Sequence, residues 1–289
     1  MLQIARLSPK LLGDSAELVA GFLRSQQNPD GGFRNRSGDS DLYYTVFGLE
    51  GLLALGQTVA AGPVAAFLEP FGNGEQLDLV HLGCLIRCWA NIERGQLPLD
   101  ADKIAAAIEQ HRTRDGGYNT ALMEEEGTAY GCFVASAAYQ DLRRELPDPE
   151  GVLRCLRRMR ADDGGYANQP DVPLGLTPSS AAVATLYRHF GEEVPEELPG
   201  WMLSRCHVEG GFYATPIAPI PDLLSTATAL HALAGMKAPL GEIQEPCLDF
   251  IDTLWSSKGG FYGNWTEDTL DCEYNYYGLL ALGHLSLPA

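Results

Sequence analysis

The sequence predicts an all-α fold, a single (α/α)6 toroid across residues 1–289, built of six helical hairpins in two concentric layers. Three observations predict it. A Gly-Gly-aromatic triplet recurs at Gly31-Gly32-Phe33, Gly116-Gly117-Tyr118, Gly164-Gly165-Tyr166, Gly210-Gly211-Phe212 and Gly259-Gly260-Phe261, at intervals of 85, 48, 46 and 49 residues. The first interval is nearly double, and a worn copy, FGNGEQ from Phe71, lies in its middle. Each triplet is flanked by apolar residues at i, i+3, i+4 and i+7, the spacing of one helical face.

Within each unit a charged amphipathic segment precedes the glycines, as in AELVAGFLRSQQ and PCLDFIDTLWSS. The double glycine suits a helix C-terminus, where a left-handed backbone is inexpensive only for Gly. A polar loop follows, then a second segment rich in small residues, such as DLYYTVFGLEGLLALG and DLLSTATALHALAG. The second segments lack a strongly charged face and suit an inner layer; the first suit an outer one. No stretch alternates long enough to compete as a strand. Six stacked hairpins could remain an open solenoid, but six pairs close naturally into a ring.

Superposing the second segments places Asp41, Asp78, Glu124, Gly175, Asp222 and Asp271 in a column just before each helix. Three residues on, the column reads Tyr44, His81, Gly127, Pro178, Ser225 and Tyr274. An Asp there has a structural task as helix N-cap, accepting a bond from an orphan amide and complementing the helix dipole. Parallel inner helices also bring all six starts to one mouth. There Tyr44, Phe47, Tyr130, Trp265 and Tyr277 supply aromatic walls and His81 a rim histidine. Such walls suit an apolar ligand or a developing carbocation, and helix N-termini favour an anionic group.

Composition narrows the field. A net charge of −18 argues against nucleic acid or an anionic membrane surface as partner. The arginines of RCLRRMR (Arg154, Arg157, Arg158 and Arg160) read as a solvated helix face. Seven cysteines without a CxxC pair read as free thiols in a reducing compartment. No leader pattern opens the chain and no apolar run approaches the roughly 20 residues of a membrane span, so a cytoplasmic protein is expected.

QNPDGGF at Gln27–Phe33, DLYYTVFGLEGLLALG, VEGGF and KGGFYG resemble the prenyltransferase and squalene-oxidase repeat. That repeat builds the α/α toroid of protein prenyltransferase β subunits and of related terpene cyclases. The resemblance runs from about Ala16 to Leu287 and implies an isoprenoid substrate, zinc held by an Asp, a Cys and a His, and an α-type partner subunit. The matching positions here are Asp222, Leu224 and Tyr274, so only the first ligand type is retained; a leucine side chain binds no metal. The loop expected to hold the diphosphate, YATPIAPIP, contains no basic residue.

The resemblance and the residues together make Asp222, Asp271 and Tyr274 the catalytic candidates, and Tyr44, Phe47, His81, Tyr130, Trp265 and Tyr277 the groups expected to grip an isoprenoid chain. Asp222, Asp271 and Cys272 form a candidate rearranged site for zinc or magnesium. The expected activity is prenyltransferase-like. The alternatives are a non-catalytic toroid that binds an isoprenoid or a protein, and a terpene cyclase-like enzyme that starts by protonating an alkene. The Asp-x-Asp-Asp pattern of such cyclases is absent from the sequence. Paired carboxylates in an α/α barrel also serve glycoside chemistry, from which the Gly-Gly-aromatic pattern points away.

Overall fold

The computed structural model describes residues 1–93, 95 and 97–287. Two short helices, α1 (Leu2–Ala5) and α2 (Pro9–Leu12), precede the repeats. The outer layer is α3 (Ser15–Ser25), α5 (Ala61–Leu68), α7 (Ala101–Glu109), α9 (Pro149–Arg157), α11 (Leu198–Leu203) and α13 (Gly241–Thr253). The inner layer is α4 (Leu42–Ala54), α6 (Leu79–Ile92), α8 (Ala129–Asp141), α10 (Thr177–Phe190), α12 (Leu223–Gly235) and α14 (Cys272–Leu285). Neighbouring inner helices pack on one another, and α14 packs on α4 as well as on α12, so the ring closes. Helix α1 lies against α4 and α14 and carries Met1 to the bottom of the central space.

Five of the six inner helices are started by a side-chain cap. Carboxylate oxygens of Asp41, Asp78, Asp222 and Asp271 accept from the amides of Tyr44, His81, Ser225 and Tyr274, and the Thr128 hydroxyl accepts from Gly131. Each such cap stabilises a helix start by about 1 kcal/mol. The expected register fails in two units. The cap of the third inner helix, Thr128, lies four residues beyond Glu124, which is exposed in the preceding loop, and the fourth begins after Leu176 with no side-chain cap.

The double glycines do not end helices. Each follows its outer helix by several residues and closes a reverse turn, as where the Gly31 amide donates to the Asn28 carbonyl. The following aromatic then bridges to the chain around it; Phe33 and Asp41 pair in a two-residue ladder, and Trp255 and Phe261 in another. These ladders are too short to alternate visibly in sequence, which is why no strand was expected. Glycine is required at the turn for two reasons. Gly31 and Gly259 have φ of 97° and 88°, which a side chain disfavours. A Cβ on Gly31 would also lie 1.9 Å from the Pro63 carbonyl oxygen of α5, and one on Gly259 2.2 Å from that of Leu18 in α3. The second contact joins the last unit to the first, so the repeated glycine is a ring-closing device.

The aromatic that follows each glycine pair is core. Phe33, Tyr118, Tyr166, Phe212 and Phe261 are all buried between the layers. Phe33 packs on Gly48 and Phe261 on Gly278, where a Cβ would come within 2.1 and 2.5 Å of the rings. The glycines inside the inner helices thus lower local helix propensity by about 1 kcal/mol each and admit a ring in exchange.

Candidate functional site

Corrected for register, the N-cap column is Asp41, Asp78, Thr128, Leu176, Asp222 and Asp271. Counting from each cap, the side chains that face the axis fall at the second, fifth, sixth and ninth positions, as a period of 3.6 requires. They line one central cavity of about 400 Å³, within the usual range for small-ligand sites.

The upper wall is aromatic. Tyr43, Phe47, Tyr130, Phe133, Tyr276 and Tyr277 line it, with Val46, Val80, Val134, Pro178 and Leu224 between them. Phe47 stands edge-on to Tyr43 at 4.9 Å between ring centres, and 5.6 Å from Tyr277. The Tyr43 hydroxyl donates to Glu273 at 2.6 Å. Burial pushes the Glu273 carboxyl above its ordinary value, opposed by the Tyr43 bond. Burial likewise raises Tyr130 to about 12, with the charges of Cys84, Glu273 and Asp78 adding to it.

The floor is polar. Arg87 of α6 lies between Glu50 of α4, at 3.0 Å, and Asp141 of α8, at 2.5 Å. Glu50 is 4 % exposed. Asp141 is raised by burial, against the pull of Arg87. His231 of α12 completes this level, its Nδ1 3.0 Å from Nε2 of His284. Burial holds both imidazoles down, His231 to about 3 and His284 to about 4. Seven residues of helix separate the second from the ninth position, so this floor lies roughly 10 Å below the mouth.

Of the residues expected to grip a ligand, Phe47, Tyr130 and Tyr277 line the cavity. Tyr44, His81 and Trp265 lie outside its lining. Tyr44 packs edge-on to Tyr43 near the seam between the first and last units. Trp265 packs on Phe250 of the outer layer, and its indole N–H donates to Thr253. His81 is held at the rim between two caps, its Nδ1 2.9 Å from Asp78 and its Nε2 3.9 Å from Asp41. Asp41 and Asp78 together raise it to about 9.

The three catalytic candidates do not face the cavity. Both carboxylate oxygens of Asp222 are engaged by Ser225, one by its amide and one by its hydroxyl. Asp271 accepts from the Tyr274 amide on one oxygen and from Arg36 Nε, at 2.9 Å, on the other. Arg36 also pairs with Glu267 and lies over the Tyr274 ring, fastening the first unit's loop to the last unit's helix. Tyr274 in turn packs against Gly263.

The proposed metal set is not assembled. Cys272 is buried in the hydrophobic core with Leu23, Leu49 and Leu279, and burial pushes its thiol up, away from the thiolate a metal needs. Among the described residues no three His, Cys, Asp or Glu side chains gather as metal ligands. The residues present therefore do not fit zinc or magnesium at Asp222, Asp271 and Cys272.

The site groups that sequence reasoning passed over are Glu50, Arg87, Asp141, His231 and Glu273. All but Asp141 sit at the second or ninth position after a cap. Counting from the Asp caps alone would have found Glu50, Arg87 and His231.

The family model of the prenyltransferase alpha-alpha toroid domain matches residues 4–86, 79–187 and 178–286. The chain belongs to that family. No curated protein matches it in sequence. Among solved structures it is similar to the type II terpene cyclase MstE from Scytonema, in a variant bound to geranylgeranyl dihydroxybenzoate, at 15% identity and a TM-score of 0.62 over 96% of this chain and 97% of that one. It is equally similar in shape to the GH76A α-1,6-mannanase from Salegentibacter sp. HEL1_6, at 14% identity and 0.61 over 94% and 98%. A D-mannose isomerase gives 12% and 0.65 over 96% and 98%. At such identities the likeness establishes the toroid and leaves the chemistry to the site. No helix among the described residues is long and apolar enough to cross a membrane.

Proposed function

We propose that this chain binds an isoprenoid chain in its central cavity and that the ligand carries no diphosphate. The carrying observation is the cavity itself, an aromatic and aliphatic wall over a floor whose guanidinium, Arg87, is already paired with two carboxylates. Isoprenyl carbons gain by leaving water for such a wall, by about 25 cal/mol for each Å² buried. A diphosphate would meet Glu50 and Asp141 without, among the described residues, an unpaired arginine or lysine side chain in the lining to receive it, and its desolvation would be poorly answered. A sugar would leave its hydroxyls unpaired against the upper wall. The geranylgeranyl ligand of MstE supports the reading, as does membership of the toroid family. Zinc-dependent prenyl transfer is not favoured, because Leu224 and Tyr274 stand where the resemblance calls for ligands.

Isothermal titration with geranylgeraniol, geranylgeranyl diphosphate and mannose tests it. The alcohol is expected to bind at least tenfold more tightly than the diphosphate and mannose not at all. Val134→Trp, which fills the middle of the cavity, is expected to abolish the alcohol's binding. A diphosphate that binds as tightly as the alcohol overturns the proposal.

A second reading, proton-initiated cyclisation, is favoured by Glu273. Its carboxyl is buried beside Tyr43, close to Tyr130, Tyr274 and Tyr277, and burial favours its protonated form. Incubation with geranylgeraniol and chromatography of the extract tests this. A cyclic isomer is expected from the unaltered protein and none from Glu273→Gln, and the absence of any isomer from the unaltered protein would leave binding alone.

A further inference from the structure

The cavity is two-ended, and its polar end is at the bottom. We propose that the floor formed by Glu50, Arg87, Asp141 and His231, with Thr228 and the Tyr276 hydroxyl directed at it from the wall, is a subsite for a neutral hydroxyl group, so that the ligand enters hydroxyl end first and leaves its hydrocarbon tail among the aromatics above. The proposal rests on the isoprenoid reading and adds the ligand's head group and direction.

Four observations carry it. The Tyr276 hydroxyl is buried near Glu50 yet makes no hydrogen bond of standard geometry among the described residues, and its ring lines the cavity beside Phe47. A buried hydroxyl without a well-made hydrogen bond is destabilising, and a ligand oxygen there would relieve it. Arg87 donates from Nε to Asp141 and from one terminal nitrogen to Glu50, leaving its other terminal nitrogen free of any protein bond among the described residues. Thr185 and Thr228 give their protons to carbonyls of their own helices, at 2.8 Å each, so what they offer the cavity is an acceptor.

The fourth observation is the histidine pair. A single proton lies between His231 Nδ1 and His284 Nε2, and His284 Nδ1 is buried without a partner. If His231 were the donor, neutral His284 would carry its proton on Nδ1, as an orphan N–H. If His284 is the donor, the orphan is a lone pair, which buried sites tolerate better. The second arrangement puts the His231 proton on Nε2, at the level of the cavity floor.

The floor therefore offers donors, from Arg87, the Met1 amine and His231, beside acceptors, from Glu50, Asp141 and two threonines, with two cations facing two carboxylates. A ligand carboxylate or phosphate would meet two carboxylates, and an ammonium would meet the guanidinium. A hydroxyl both donates and accepts, and matches each without a net charge. Its placement roughly 10 Å below the mouth suits a chain whose tail lies along the second, fifth and sixth positions.

The test compares three ligands of one chain length by titration calorimetry: the prenyl alcohol, the hydrocarbon lacking the hydroxyl, and the prenyl carboxylate. The alcohol is expected to bind about three- to tenfold more tightly than the hydrocarbon and more tightly than the carboxylate. Tyr276→Phe removes that oxygen and keeps the ring, and is expected to erase about threefold of that preference, read as the ratio of alcohol to hydrocarbon affinity within the same variant. Thr228→Val is expected to act in the same direction, and circular dichroism of both variants checks that the ring persists. Equal binding of alcohol and hydrocarbon, or a Tyr276→Phe variant that keeps the full preference, overturns the floor assignment while the isoprenoid reading stands. Failure of all three ligands to bind overturns the isoprenoid reading and the floor assignment with it.

Discussion

Lowering the pH should unfold this protein through its two floor histidines. His231 and His284 titrate near 6.5 when solvated, but burial holds them to about 3 and about 4, with the nearby chain amine adding to both. The sign follows directly. Between the folded and unfolded values the unfolded chain binds protons that the folded chain refuses, so stability is present above about pH 6.5 and falls as pH drops below it. From about pH 7.5 to about pH 5 each unfolded histidine takes up nearly one proton. The integral is about 2 kcal/mol per histidine, about 4 kcal/mol for the pair if neither relaxes. That is a large share of a typical stability of about 5–15 kcal/mol. Other groups titrate in the same range, so the measurement must isolate the pair. Urea unfolding of the natural chain and of a His231→Gln, His284→Gln double variant, followed by circular dichroism across this range, does so by difference. The natural chain is expected to lose up to about 4 kcal/mol relative to the variant on acidification. Two curves that stay parallel would show that the histidines are solvated or already charged, and the tautomer argument for the floor would fall with them.

Three further outcomes are expected. His81, raised to about 9 by Asp41 and Asp78, contributes stability that is full below about pH 6.5 and is lost as pH rises through about 9; in a ring-proton NMR titration Asp78→Asn should move its midpoint down. Gly210→Ala should cost more than about 2 kcal/mol in urea unfolding, because φ is 90° and the new Cβ would lie 1.8 Å from the Pro246 carbonyl oxygen, whereas Gly21→Ala, with open space around it in α3, should stabilise by up to about 1 kcal/mol. A chelator should leave the melting temperature unchanged, and Cys272→Ser should alter zinc content by nothing, since the Cys272 thiol lies in the core.

The ring was legible in the sequence because its two requirements leave regular marks. Small residues recur where an inner helix meets a buried aromatic, as Gly48 meets Phe33, and glycine recurs where one unit's turn meets the next unit's outer helix. The start of an inner helix was legible only where an Asp capped it. In the third unit the run Glu124-Glu125-Glu126 looks like a capping cluster, but these acids are exposed, and Glu125 and Glu126 pair with Arg114 and Arg158 instead. The cap is Thr128, which is chemically equivalent and far less conspicuous. In the fourth unit Leu176 has no capping side chain to see.

The same asymmetry explains why the sequence points to acids that do not line the cavity. An N-cap must turn its carboxylate back along its own helix to reach the amide three residues on. In Asp222 and Asp271 that demand, with Ser225 and Arg36, engages both oxygens and turns the carboxylate away from the cavity lining. The acids that are conspicuous at the mouth therefore serve helix starts and the seam between first and last units. Charged residues that face the axis look, in sequence, like ordinary surface charges. Arg87 stands in a run of apolar residues and Asp141 at the end of a helix, 54 positions apart, and only the packing of α6 on α8 brings them together at 2.5 Å. Because the wall and floor come mainly from the second, fifth, sixth and ninth positions after six caps, those positions can change without touching the glycines and aromatics that hold the ring. A toroid of this kind can therefore exchange one ligand for another while its recognisable repeat stays fixed, so the repeat identifies the scaffold and Glu50, Arg87, Asp141 and Tyr276 mark the site proposed above.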